Sequence, residues 1–159
     1  RCVKAAKVIA YKAGIYGMVG GQSLDVWLTD KPMNEAQLAF IFNLKTGALI
    51  EAAFMAGAIL AGADDRTVEK MEKAGNLIGV AFQIQDDILD VTSTLEVLGK
   101  PIGSDEKNHK ATYVSFEGLE KAKEDVALYT NSAVARMGSL VVKNEFLNEL
   151  LLYLISREK

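Results

Sequence analysis

Three carboxylates and an amide fall within eight residues, Gln83, Asp86, Asp87 and Asp90, in the run Phe82-Gln83-Ile84-Gln85-Asp86-Asp87-Ile88-Leu89-Asp90. On a helix Asp86 and Asp90 project from nearly the same face, and Gln83, three residues before Asp86, joins them. Asp87 lies about 100° round the axis. Like charges at i and i+4 destabilise a helix by roughly a few tenths of a kcal/mol, so they contribute nothing as packing. A hard divalent cation removes the repulsion. Mg2+ takes carboxylate, phosphate and water oxygens, and held by one or two carboxylates it keeps positions for substrate oxygens. The competing reading is a solvated acidic turn. The setting favours a ligand, because Gly79 to Asp90 offers few other solvated positions, and carboxylates grouped on an otherwise buried helix serve a ligand or a partner.

The basic counterparts are few. Lys45-Thr46 stands in an apolar region at an expected helix irregularity, while Lys100 and Lys110 come after the acidic helix, where the chain can fold back over its C-terminal end. A lysine ammonium is a compact charge suited to phosphate oxygens, and a threonine hydroxyl can donate to one. Taken singly, each reads as a surface residue. Together with the carboxylates they describe a site for a metal-bridged polyanion: Asp holds Mg2+, Mg2+ holds diphosphate, and Lys neutralises the remaining charge.

The elements that must position these groups all read as helices. No window of four to eight residues alternates with period two and β-branched enrichment, so little or no strand is expected. A first helix spans Val3 to Leu28 and stops before Thr29-Asp30-Lys31-Pro32. Asn34 caps a second, from Glu35 to Leu60, bent near Lys45-Thr46-Gly47. After the break at Gly62-Ala63-Asp64-Asp65, with Asp65 as cap, a third runs from Thr67 to Val91. Its stripe is Leu77, Ile78, Ala81, Ile84, Ile88 and Val91. Thr92 to Thr112 is a polar loop with Gly99, Pro101 and Gly103. Helices near Leu119–Met137 and Glu145–Arg157 complete the pattern, giving one all-α domain over residues 1–159.

Bulk properties narrow the function. A net charge of -3 over 159 residues gives no footprint for nucleic acid. A single cysteine, Cys2, excludes an intrachain disulfide framework and fits a cytoplasmic setting. Thr46 to Ala63 is almost wholly apolar and near the length of a minimal membrane span. Glu51 inside it and its many alanines indicate a packed buried helix, so no transmembrane segment is expected. Residue 1 is Arg and no signal-peptide pattern comes after it, as expected of a chain that begins partway through a longer polypeptide.

Five segments in order carry a family likeness: Gly20-Gly21-Gln22-Ser23-Leu24-Asp25, Lys45-Thr46-Gly47, Phe82 through Asp90, Gly99-Lys100 and Lys110-Ala111-Thr112-Tyr113. With their spacing, the chain from about Ala5 onward resembles the C-terminal half of the trans-prenyl diphosphate synthases, of the farnesyl and geranylgeranyl diphosphate synthase kind.

The resemblance implies an isoprenoid-synthase-type helical bundle around a central cavity, usually homodimeric through its early helices. It also implies Mg2+-dependent, head-to-tail condensation of an allylic diphosphate (dimethylallyl, geranyl or farnesyl) with isopentenyl diphosphate. Asp86 would ligate the Mg2+ that grips the allylic diphosphate, and Asp90 and, less directly, Asp87 would complete its shell. Lys45 and Lys100 would contact diphosphate oxygens, and Lys110 would belong to a flexible loop that helps close the site. Thr46 and Gln83 would stabilise the developing allylic cation, with Gln22 and Asp25 lining the same cavity. Phe82 is a signature whose role is packing.

The departures are specific. The family's first Asp-rich motif and its upstream Gly-Lys-Arg segment are not found here, and His109 precedes Lys110 where many members carry Gly or Asn. Half a metal site is therefore expected, with little or no synthase activity from these residues by themselves. The alternative is a binding or regulatory subunit that pairs with a complete synthase.

Overall fold

The computed structural model describes residues 1–92, 111–141 and 143–156. Among them are eight α-helices and no strand: α1 (Cys2–Ala13), α2 (Met18–Trp27), α3 (Glu35–Ile41), α4 (Ala48–Ala61), α5 (Asp65–Thr92), α6 (Tyr113–Glu117), α7 (Leu119–Gly138) and α8 (Glu145–Ser156). A π-helical turn, Phe42–Gly47, joins α3 to α4 without a break. The all-helical expectation holds.

Helix α5 is the spine. It packs along α7 on one side and along α4 on the other, and α4 in turn carries α1. The main core collects Leu38, Ile41 and Phe42 with Ile78, Ile84 and Ile88 of α5, Val126 and Met137 of α7 and Leu151 of α8. A smaller cluster, Ala5, Ala56, Ile59 and Val68, seals α1 to α4 and the start of α5. Of the stripe expected on α5, Ile78, Ala81, Ile84 and Ile88 are buried, whereas Val91 is exposed.

The punctuation is local chemistry. Asn34 caps α3 as expected: its side chain accepts from the Gln37 amide at 2.9 Å, and the Gln37 side chain accepts from the Asn34 amide at 2.9 Å, a reciprocal capping box. Gly62 ends α4 in the left-handed region at φ 88°, where a side chain would be strained. Asp30 turns the chain after α2 at φ 59°, a conformation aspartate tolerates better than most residues.

Three expectations need correction. The first helix is not continuous to Leu28: it breaks after Ala13, and α2 starts at Met18. A Cβ on Gly17 would collide with the Lys12 carbonyl, so the chain makes this close crossing only with glycine. Asp64, not Asp65, caps α5, accepting from the Thr67 amide at 2.7 Å; Asp65 instead pairs with Lys4 of α1. Thr112 does not simply end a loop. It caps the short helix α6, accepting from the Ser115 amide at 3.1 Å while the Ser115 hydroxyl accepts from the Thr112 amide at 2.9 Å.

The apolar segment carries a buried charge. Glu35–Ala61 is long and apolar enough to cross a membrane by length and composition. Yet Glu51 sits within it, buried, and is ion-paired to Lys12 of α1.

Candidate functional site

The site is built where α2, the π-helical turn and α5 meet. Within the π turn, backbone bonds run one residue further than in an α-helix. This rotates α4 out of phase with α3, a geometry often found at functional sites. The irregularity expected near Lys45-Thr46-Gly47 is this turn. Glycines hold it on both flanks. A Cβ on Gly21 of α2 would strike the Lys45 amide nitrogen, and one on Gly79 of α5 would lie 2.5 Å from Gly47 Cα. Backbone therefore packs on backbone, and the turn cannot drift without opening both contacts.

This clamp brings together four of the residues singled out from sequence. Lys45 Nζ is ion-paired to Asp25 Oδ2 of α2 at 2.6 Å, in a half-buried position. Thr46 donates its hydroxyl to Gln83 Oε1 of α5 at 3.1 Å. Gln22 lies three residues before Asp25 on the same α2 face, also half-buried. The two contacts place an ammonium, a hydroxyl and an amide side by side. Such a set can hold phosphate oxygens and turn oxygen dipoles toward developing positive charge.

Along α5, Asn76, Gln83 and Asp90 are spaced by sevens, and Gly79 and Asp86 fall between them on one stripe, of which Asn76, Gly79 and Gln83 meet the π turn. Asp86 is half-buried, one turn beyond Gln83. Asp90 is 1% exposed. Asp87 points elsewhere. It is buried, and its Oδ2 accepts the Tyr113 backbone amide at 2.7 Å, tying the start of α6 to the acidic helix. Among the described residues no three of His, Cys, Asp and Glu converge as a ready-made metal cluster. The donor chemistry nevertheless suits Mg2+. Asp86 supplies a hard carboxylate oxygen at an accessible position, and a site with one or two carboxylates relies on substrate oxygens and water for its remaining ligands. Lys100, Lys110 and His109 lie outside the described residues.

Sequence reasoning missed a second tier. Tyr113 Oη donates to Asp125 Oδ2 at 2.8 Å, and Lys121 donates to Asp125 Oδ1 at 2.7 Å. Burial resists ionisation of Asp125, but the Lys121 and Tyr113 bonds outweigh it and hold its carboxyl below the ordinary range. Burial and the neighbouring Asp125 push the Tyr113 hydroxyl well above its usual value, so it remains a donor. On the other side Lys12 bridges Glu51 and Glu72, the latter at 2.7 Å. Burial opposes its charge, but the two carboxylates win and raise it. A cavity of about 250 Å³ lies between α3, α5, α6 and α7, lined by Leu38, Phe42, Asn43, Asn76, Tyr113 and Tyr129 among others. None of Lys45, Thr46, Gln83 and Asp86 lines it.

Comparison with known proteins settles the family. Residues 2–148 match the Polyprenyl synthetase family. The chain belongs to the polyprenyl synthetase family. It is 42% identical to geranylgeranyl diphosphate synthase of Cyanophora paradoxa, over 83% of this chain and 48% of that protein. It is 40% identical to farnesyl diphosphate synthase of Geobacillus stearothermophilus, over 79% of this chain and 42% of that one. The crystal structure of geranyltransferase from Helicobacter pylori, complexed with magnesium and isoprenyl diphosphate, superposes with a TM-score of 0.78 at 31% identity. The match covers 96% of this chain and 50% of that one. Heptaprenyl diphosphate synthase from Staphylococcus aureus shares the fold at a TM-score of 0.88 and 24% identity, over 98% of this chain and 60% of that one. The chain thus spans about half the length of the curated polyprenyl synthetases it matches.

Proposed function

We propose that this chain forms the leaving-group half of a Mg2+-dependent, short-chain prenyl diphosphate synthase. The reaction joins an allylic diphosphate head-to-tail to isopentenyl diphosphate. The observation that carries the reading is the pairing of Thr46 with Gln83 beside the Asp25–Lys45 ion pair, on the α5 stripe that continues to Asp86.

In the chemistry this reading assigns, the allylic C–O bond breaks and the diphosphate leaves with the electron pair. The double bond of isopentenyl diphosphate attacks the allylic carbon, and the proton lost from the new cation passes to diphosphate. Mg2+ bound at Asp86, with Asp90 helping to shape its shell, would neutralise charge on the departing diphosphate. Lys45, held by Asp25, faces the same oxygens. Thr46, donating to Gln83, presents its oxygen lone pairs where positive charge grows. Lys100 and Lys110 supply further cations in the same proposal, and Asp87 acts through Tyr113 rather than at the metal. Because these contacts are in place, the catalytic reading is preferred to that of a binding subunit. A cytosolic setting and a homodimer complete the proposal. The dimer is supported by the exposed apolar side chains Ile15 and Tyr16, between α1 and α2, and Val26 and Trp27 at the end of α2.

The test is a condensation assay with radiolabelled isopentenyl diphosphate and geranyl diphosphate, on a polypeptide that joins these residues to a first Asp-rich half. Longer prenyl diphosphate should form with Mg2+ and not with chelator. Product formed equally with chelator, or none at all, would overturn the assignment.

A further inference from the structure

A partly buried polar network, with Glu51 as its buried centre, stands directly behind the π-helical turn. Asn76 of α5 donates both amide hydrogens from Nδ2, to Glu51 Oε1 at 2.7 Å and to Asn43 Oδ1 at 2.9 Å. Asn43 belongs to the π turn and donates in turn to the Ala39 carbonyl at 2.8 Å. Glu51, 7% exposed, gives its other oxygen to Lys12, which also reaches Glu72. Four backbone segments are thereby joined: the end of α1, the π turn, the first turn of α4 and the middle of α5. The Gly75 side of α5 presses on the Glu51 backbone, where a Cβ would come within 2.9 Å of Glu51 Cα, so Asn76 has little room to seek other partners.

The arrangement is costly unless it performs a task. A buried carboxylate and ammonium each carry a desolvation penalty, and well-packed apolar residues hold helices together as well or better. What apolar packing does not supply is direction. The Asn76 amide, donating to one acceptor on the π turn and one on α4, adds a directional constraint to the glycine contacts and distinguishes one rotation of the turn from its neighbours. The turn carries Lys45 and Thr46 two and three residues after Asn43. Lys12, at the other end of the network, lies at the break that sets where α2 starts and hence where Asp25 falls. We propose that Asn76 and Glu51 are positioning residues for Lys45 and Thr46, fixing the phase of the π turn and the mutual placement of the Asp25–Lys45 and Thr46–Gln83 pairs. The function of those pairs rests on the reading given above; the positioning itself does not.

Asn76→Asp tests it. The substitution keeps the shape but sets a carboxylate against the Glu51 carboxylate and the Asn43 carbonyl oxygen. Amide hydrogen exchange across residues 42–47 should speed up on the order of tenfold, while α7 exchanges as before. In the chain completed with a first Asp-rich half, kcat should fall on the order of tenfold or more, with KM for isopentenyl diphosphate little changed. Glu51→Gln combined with Asn76→Asp preserves the net charge and reverses donor and acceptor in that pair, leaving the Asn43 oxygen unmatched, so it should recover part of both losses. Should Asn76→Asp fail to fold, Asn43→Ala, which removes only the tip of the network, should show the same two changes in smaller measure. Wild-type exchange in the π turn would overturn the proposal. So would losses that track global stability and are not recovered in the double variant. An inactive wild-type completed chain would sink the functional reading alone, because the exchange experiment still decides the positioning.

Discussion

At the level of single residues, adjacent carboxylates on α5 sit in different surroundings. Asp87 spends one oxygen on the Tyr113 amide in a buried setting, so Asp87→Ala leaves that donor unmatched and should cost about 1–3 kcal/mol of stability. Chemical denaturation should show the loss, with Asp86→Ala, at a half-buried position, costing less. Equal costs would place the two residues in equivalent environments and contradict that difference. Asp125 gives a pH test. Its folded-state affinity for protons is depressed, so its stabilisation is present above the ordinary carboxylate range and is lost as pH falls through the folded value. Asp125→Asn should therefore flatten the decline in thermal midpoint below about pH 4 while lowering the midpoint at neutral pH. A decline as steep as wild type would show that Asp125 is not the group responsible. Much of this level was legible in the sequence, because Asp86, Gln83, Lys45 and Thr46 announce themselves by type and spacing. Asn76 and Glu51 did not. A polar residue seven before Gln83 and a glutamate inside an alanine-rich run were visible, but their partnership lies 25 residues apart and depends on how α4 meets α5.

At the level of elements, the close approaches matter more than the helices. Helix positions derive from periodicity and caps, as Asn34 illustrates, and these could be read in advance. The break at Gly14–Gly17 could not, since glycine in a helical pattern signals tolerance and not the crossing that uses it. Gly79→Ala should force α5 off the π turn, because its Cβ would lie 2.5 Å from the Gly47 backbone. The expected loss is about 1–3 kcal/mol, from overpacking against atoms that cannot rotate away. Gly57→Ala, exposed on α4 with no neighbour within 4 Å, should instead stabilise by up to about 1 kcal/mol. Thermal unfolding of the pair checks both signs. The same chemical change, made at two glycines, should move the midpoint in opposite directions.

At the level of the whole molecule, the described residues leave large apolar side chains uncovered, among them Val3, Tyr11, Ile15, Tyr16, Val26 and Trp27 on α1, α2 and their flanks, and Phe146, Leu152 and Tyr153 on α8. Surfaces of this kind on a folded chain call for a partner. By itself the chain should associate in sedimentation equilibrium at micromolar concentration, and Trp27→Lys with Ile15→Lys should shift it toward monomer. A strictly monomeric wild type would remove the support for a dimer. The fold class was legible because helical periodicity persists along the chain. Which faces stay bare was not, since exposure depends on what each helix packs against. The central claim remains that the Gln83–Asp86 face of α5 grips metal-bound diphosphate. The most direct test is kcat/KM for the allylic diphosphate in Asp86→Ala, measured in a chain completed with a first Asp-rich half. The expected loss is on the order of 10²–10³, as for other preorganised charge sites. A variant that turns over at close to the wild-type rate would contradict the claim.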